Sequence, residues 1–424
     1  MEWLRRWKIR ILLIFAVVGP GFITANVDND ANGIYTYSLA GAQFGHALLW
    51  SLIPITLALI VIQEMSARMG AITGKGLSDL IRQEYGFRAT FFMMGMLVAI
   101  NLMNVVGEFI GVATSLDLFH GHIRGHDIFI SKFVSVPIAA VLVFVMVTKG
   151  NYKSVEKIFL TASFFYVCYI IAGFLAKPDW TDALRATILL PSRHVLLQKS
   201  YIYMLIGVIG TTIAPWMQFY LQASIVEKGV TAREYKTSRL DVILGCFFTD
   251  IVAWFIIVAC AATLFATGQT DIANGADAAR ALRPLAGKYA FLLFGAGLFN
   301  ASIFAASILP LSTAYTVCEG LGFESGLDKK FGEAPVFYWL YTILVGAGAA
   351  AVLFIPNRLL IKVTVLSQVL NGVLLPPVLI YMLLLINKST LMGKHVNGRV
   401  FNWIAWITAA ILIVMTVVYA FVGQ

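Results

Sequence analysis

Apolar residues in this chain come in blocks long enough to cross a membrane, not in the short alternations of a soluble fold. Blocks of spanning length lie near 9–44, 47–69, 90–119, 130–148, 158–176, 202–226, 242–265, 289–314, 336–355, 359–386 and 403–422. They predict about 11 transmembrane helices in an all-α membrane protein. Two blocks are interrupted. The first carries Ala25-Asn26-Val27-Asp28-Asn29-Asp30-Ala31-Asn32-Gly33 in its middle. A charge at bilayer depth costs roughly 3 kcal/mol or more. An ordinary spanning helix would not hold two carboxylates there, whereas a helix unwound around a cation would. The sixth block carries Gly207-Val208-Ile209-Gly210-Thr211-Thr212-Ile213-Ala214-Pro215-Trp216. Proline removes a donor and clashes with the preceding turn, so this helix should part just before Pro215.

The broken spans are five apart. A repeat of five spans inverts its topology, and two such repeats build a midplane site from two discontinuous helices. Glycine and proline also make plain packing kinks in membrane helices. Matched positions, with carboxylates in one break, favour a transporter. The chain then divides into a first inverted repeat at 1–176, an extracellular loop at 177–200, a second inverted repeat at 201–387, and a loop with a last span at 388–424.

Composition agrees. Of 424 residues, 59% are hydrophobic and 12% charged, and mean hydropathy is +0.83; soluble domains carry about 25% charged residues. The basic segment Met1–Arg10 runs into an apolar block too long for a signal peptide, so it reads as the start of a retained span. The net charge of +9 is scattered over short loops, which argues against nucleic acid. Roughly two thirds of the Lys and Arg fall on the side of the N-terminus, which places it in the cytoplasm and the C-terminus outside. The loops 70–89, 177–200 and 267–288 have helical periodicity with charges on one side and are expected at the interface. Cys168, Cys246, Cys260 and Cys318 lie in apolar runs without metal-type spacing and read as small core residues. No phosphate-binding loop, nucleophile–base pair or ATP-hydrolysing domain is visible, so an enzyme is not expected. Ion or substrate gradients would supply the energy.

The breaks carry the candidate chemistry. A hard divalent cation takes carboxylate, carbonyl and water oxygens. Asp30 is the first candidate ligand, and Asp28 is a second ligand, a partner for backbone donors or an entrance charge. Asn26, Asn29 and Asn32 offer neutral oxygens or cap half-helices. Thr211 and Thr212 offer hydroxyl or carbonyl oxygen, or bond back to their own helix. Gln368 completes the shell or bridges spans. Asn101, Asn104 and Asp250 read as interhelical glue. Glu64 and Arg68, one turn apart, read as a cytoplasmic ion pair. His46, His120, His122, His126, His194 and His395 lie in or near loops, and the His120/His122/His126 group reads as a loop cluster.

Gly19-Pro20-Gly21-Phe22, with Asp30 eight residues beyond Phe22 and then Ala40-Gly41-Ala42, resembles the first span of the Nramp divalent-metal transporters. Gly107-Glu108-Phe109-Ile110-Gly111 and Ser367-Gln368-Val369 are similar to family runs in spans three and ten. The resemblance implies a LeuT-type fold with helices 1 and 6 discontinuous, a monomer, and no resident cofactor beyond the transported ion. It also makes departures visible. The family's metal-binding asparagine is Gly33 here, and its Ala and Met-Pro-His in span six are Thr211 and Ala214-Pro215-Trp216. The aspartate three residues before the span-three glutamate is Val105.

Losing the thioether leaves an oxygen-only site that suits Mg²⁺ and admits Mn²⁺. The smaller Gly33 and Ala214 are expected to widen the cavity for a largely hydrated ion. Trp216 is read as a cavity wall or an interhelical anchor. With Trp216 and Val105 at the proton-route positions, Glu108 alone is a poor relay, so uncoupled uptake is expected. These changes resemble the prokaryotic Nramp-related magnesium transporter branch, in the inner membrane. The competing readings are a proton-coupled Mn²⁺/Fe²⁺ importer and a sodium-coupled carrier of organic solutes.

Overall fold

A computed structural model describes residues 19–118, 121–123, 126–128, 130–149, 164–270, 272, 278 and 290–421. The basic leader, the start of the first span, His120 and most of the 267–288 loop lie outside the described residues.

The first span is split into α1 (Pro20–Asn26), a single 3₁₀ turn (Val27–Asn29) and α2 (Ala31–Phe44). Then come α3 (Leu49–Thr73) and α4 (Leu77–Asp117), the latter bent at Gly86, whose φ of 80° suits glycine. The predicted 70–89 loop is therefore largely helical. A hairpin of β1 (Gly121–Ile123) and β2 (His126–Ile128) leads to α5 (Lys132–Thr148) and α6 (Val167–Leu175). It is the one departure from all-α architecture among the described residues, and it holds the backbone of His122 and His126.

Next, α7 (Trp180–Ile188) lies in the loop before the second broken span, α8 (Lys199–Thr212) and α9 (Pro215–Glu227). The chain ends in α10 (Tyr235–Cys260), extended by a π turn at Ala261–Phe265, then α11 (Ala290–Leu321), α12 (Pro335–Phe354), α13 (Leu360–Ile386) and α14 (Arg399–Phe421).

Among the described residues, α3, α4, α8–α9, α10, α11, α12, α13 and α14 are long and apolar enough to cross a membrane. Together with α1–α2, α5 and α6 they place a helix in every block that the hydropathy pattern marks. Of these eight the broken span α8–α9 is the most enclosed, with 94% of its apolar stretch buried, against 17% for α14 at the periphery. Around it, α11 lies along α4, α13 along α8, and α10 across α1. Phe91, Phe133, Ile138 and Trp403 stand on the outer surface, as lipid contact requires.

Candidate functional site

The first break follows from local chemistry. α1 begins with Pro20 at its first helical position, where a missing N–H costs nothing. It winds into the 3₁₀ turn and ends at Asp30, whose ψ of −176° takes the chain out of helix. Asp30 then caps α2: the Gly33 N–H donates to its Oδ1 at 2.7 Å. A carboxylate at a helix N-terminus also meets the positive end of the helix dipole. The same end draws a second carboxylate from α4: the Ala31 N–H donates to Glu108 Oε2 at 3.3 Å, and the Asn32 amide donates to Glu108 Oε1.

The second break falls where Pro215 predicts it. α8 stops at Thr212, Ile213 leaves helical geometry, and α9 restarts with Pro215 in its first turn. Because Pro215 has no N–H, the Thr211 carbonyl loses the donor that a continuous helix would give it. It stands at the break without that helical donor.

The two breaks meet. A Cβ built on Gly33 would lie 3.3 Å from Thr211 Oγ1 and 2.0 Å from the Asp28 carbonyl oxygen. Tyr37 Oη on α2 and Thr212 Oγ1 on α8 share a hydrogen bond of 2.8 Å that ties the two half-helices together. Asp30, the Asp28 carbonyl, Gly33 and Thr211 thus form one oxygen-rich junction that is almost closed to solvent; Asp30 is 6% exposed and Thr211 2%. Among the described residues no three His, Cys, Asp or Glu side chains converge as a metal cage. An ion here would take one carboxylate, hydroxyl and carbonyl dipoles, and retained water.

Gln368 does not reach this junction by any hydrogen bond; it bridges spans. Its Nε2 donates to Asn104 Oδ1 (3.2 Å) and Ser367 Oγ (2.8 Å), and its Oε1 accepts from Asn371 (2.9 Å). Asn104 in turn bonds Asn371 at 3.1 Å, and its carbonyl accepts from the Asn32 amide at 3.2 Å. This amide network joins α4 and α13 behind α2. Asn101 donates to Thr313 at 2.8 Å, so the glue role read for Asn101 and Asn104 holds. Gly107 admits the network, since a Cβ there would lie 1.8 Å from Asn32 Oδ1.

One reading needs correction, and two others are narrowed. Gly33 does not widen the site, because the Asp28 carbonyl occupies the space a side chain would take; glycine is there to let the 3₁₀ turn close over α2. Of the two roles read for Trp216, burial favours the anchor: it is 2% exposed, packs at 6.1 Å from the Tyr220 ring, and its carbonyl accepts from Ser312 on α11 at 3.1 Å. Asp250 on α10 meets the Thr56 hydroxyl on α3, in keeping with the glue role read for it, whereas both oxygens of Asp28 are buried with no hydrogen-bond partner among the described residues.

Val105 is fully buried against α12, where a Cβ on Gly348 would lie 2.5 Å from Val105 Cγ1. Ala214 is buried at the head of α9. Glu64 and Arg68 do pair, at 3.1 Å, with Arg239 4.0 Å from Glu64. Arg68 also donates to the His395 carbonyl at 3.0 Å and to Asn397, closing α3 onto the loop before α14. The four cysteines are free.

Sequence reasoning missed Asp241. Its carboxylate on α10 accepts from the backbone N–H groups of Gly19 (2.7 Å), Gly21 (2.8 Å) and Phe22 (3.1 Å). It supplies from another helix the cap that α1 lacks. The signal was present: Gly19 at the N-cap position has no side chain to cap with.

The profile of the family described as natural resistance-associated macrophage protein-like, Nramp, matches residues 21–422. A divalent metal cation transporter MntH of Ralstonia nicotianae is 29% identical over 426 residues, covering 96% of this chain and 90% of its own. Another MntH, of Erwinia tasmaniensis, is 28% identical over 395 residues, covering 91% and 89%. In three dimensions the chain superposes on the Eremococcus coleocola manganese transporter, solved with an aromatic bis-isothiourea compound, with a TM-score of 0.73. That match has 20% identity and covers 94% of this chain and 85% of the other. A histidine-to-alanine mutant of that transporter superposes with a TM-score of 0.71 at 19% identity, covering 94% and 84%.

Proposed function

The chain belongs to the Nramp family, and on that premise we propose that it takes up divalent cations, Mg²⁺ and Mn²⁺, by alternating access and without moving protons. The observation that carries this reading is the junction of Asp30, the Asp28 carbonyl and Thr211, which brings oxygen donors together at the meeting of the two breaks. Mg²⁺ keeps several waters and is ordinarily held through one or two carboxylates. Asp30 supplies the charge, and the Thr211 hydroxyl and freed carbonyl supply dipoles. Ala214 offers no soft ligand that would favour cadmium or iron.

The absence of proton coupling rests on packing. Val105 and Trp216 are buried apolar contacts, and Glu108 is engaged by Ala31 and Asn32. A negative-inside potential contributes about 2.3 kcal/mol per charge per 100 mV, or about 4.6 kcal/mol for a divalent ion, enough to drive accumulation unaided. In this reading the repeats are 1–176 and 201–387, the protein acts as a monomer in the cell membrane with its N-terminus in the cytoplasm, and it catalyses no covalent chemistry. A proton-coupled manganese importer is the second reading; the name of the Eremococcus coleocola manganese transporter favours the metal in it.

Purified protein in liposomes with a Mg²⁺ dye and a pH dye separates the two. Mg²⁺ influx without lumenal acidification is expected. Mn²⁺ influx that acidifies the lumen, with no Mg²⁺ flux, would sink the proposal in favour of the second reading.

A further inference from the structure

α14 meets the bilayer with most of its surface, since only 17% of its apolar stretch is buried. Along its first turns the outward face forms a cleft of about 340 Å³ lined by Arg399, Asn402, Trp403 and Trp406. Residues at this helical spacing share one side of a helix. Asn402 is committed: it exchanges hydrogen bonds of 2.8 Å with Asn387 and accepts from Asn397 at 3.0 Å. Arg399 is exposed, and no Asp or Glu pairs with it among the described residues. Trp403 is 69% exposed and Trp406 43%. Beyond them the same side continues as Ile407, Ile411 and Val414, all exposed. The approach to the cleft is basic. The stretch 387–399 holds Lys388, Lys394 and Arg399 and no Asp or Glu. Glu84 engages Lys388, which leaves Lys394 and Arg399 as its exposed cations.

A guanidinium at the rim of the bilayer suits a phosphate, whose oxygens match its planar fork of donors. Tryptophans settle at headgroup level, with one end apolar and the other wet. The order along α14 is therefore the order of groups in a phospholipid. Arg399 meets the phosphate, the two indoles flank the glycerol region, and the aliphatic side chains below meet the acyl tails. Basic pockets beside membrane helices select anionic headgroups. A second copy of the chain is a poorer occupant of this face. Two-fold packing through it would bring two Arg399 guanidiniums together with no acid between them.

We infer that the outer face of α14 at Arg399, Trp403 and Trp406 binds one anionic phospholipid. The inner side of the same turns gives that lipid a structural reach. The guanidiniums of Arg68 and Arg239 each lie 5.9 Å from the Phe401 ring, and Arg68 is paired with Glu64. A lipid seated at Arg399 holds this part of α14 against the end of α3 and the start of α10.

Native mass spectrometry of the purified full chain, titrated with phosphatidylglycerol or with zwitterionic phosphatidylcholine, tests it. The first phosphatidylglycerol should bind about tenfold tighter than the first phosphatidylcholine, the scale of a hydrogen bond to a charged group. Arg399→Gln should remove that preference. Lys394→Gln, which changes a cation outside the cleft, should keep it. Arg399 is exposed, so its variant should melt with wild type. No preference in wild type, or a full preference in Arg399→Gln, overturns the site. An equal loss in Lys394→Gln would make the attraction a property of the whole basic loop and also overturns it. Release of the first lipid by millimolar inorganic phosphate would assign the cleft to a free anion. Chain dimers in place of the lipid adduct would assign the face to a second copy, and either result excludes the lipid.

Discussion

The first break buries Asp28 and Asp30 between helix ends, whereas the second, at Ile213 and Ala214, contains no ionisable group at all. Both are made by chain geometry, but by different devices. In the first, a 3₁₀ turn and the Asp30 cap restart the helix, so one side chain both shapes the backbone and supplies charge. In the second, Pro215 does the shaping and leaves neutral oxygens. Under the proposed function, affinity and selectivity would reside on different segments: the first break would supply the charge that binds a cation, and the second would choose among cations through what it presents at Thr211 and omits at Ala214.

Asp30→Asn should break the comparison most strongly. Asparagine caps a helix as well as aspartate does, so α2 should persist and elution and melting should stay near wild type. Losing the charge should cut Mg²⁺ flux on the order of 100-fold, the scale of about 3 kcal/mol for a buried charged contact. Flux that survives would move the ion's charge partner elsewhere in the break.

Gly33→Ala acts on shape alone. Its Cβ would sit 2.0 Å from the Asp28 carbonyl, so the turn must shift, at about 1–3 kcal/mol. Lower melting, with Mg²⁺ and Mn²⁺ flux reduced together, is expected. A change in the ratio of the two ions would instead restore the reading of Gly33 as a selectivity residue. Ala214→Met should do the opposite. A thioether at the second break should raise Cd²⁺ over Mg²⁺ transport about tenfold, measured by competition in liposomes. An unchanged ratio would mean that softness at this position does not choose the ion.

Legibility in the sequence followed the range of each interaction. Both breaks could be read because Pro215, and charges within an apolar block, act on the backbone where they stand. Asp30 and Thr211 could be placed for the same reason. Gly33 was misread because a missing side chain is silent about what fills its space, and the Asp28 carbonyl is a tertiary fact of the folded turn. Asp241 lies on α10, more than 200 positions from the backbone groups it caps. Hydropathy ranks such a residue as a tolerated polar exception, and only packing reveals it as a cap. Gln368 shows the converse: an amide in a family-like run whose hydrogen bonds are all committed between α4 and α13.

Thr211→Val makes the smallest change and sharpens the comparison most finely. Valine keeps the shape and removes the hydroxyl, while the Thr211 carbonyl, orphaned by Pro215, remains. If the hydroxyl meets the ion or its water shell, losing one neutral hydrogen bond costs about 1 kcal/mol. That corresponds to roughly a fivefold rise in the KM for Mg²⁺. If only the carbonyl serves, KM should not move, and a Pro215→Ala change, which returns an N–H donor to the carbonyl, should then be the more damaging of the two. The pair of variants thus assigns the second break's contribution to one oxygen or the other, because each removes one and spares its neighbour.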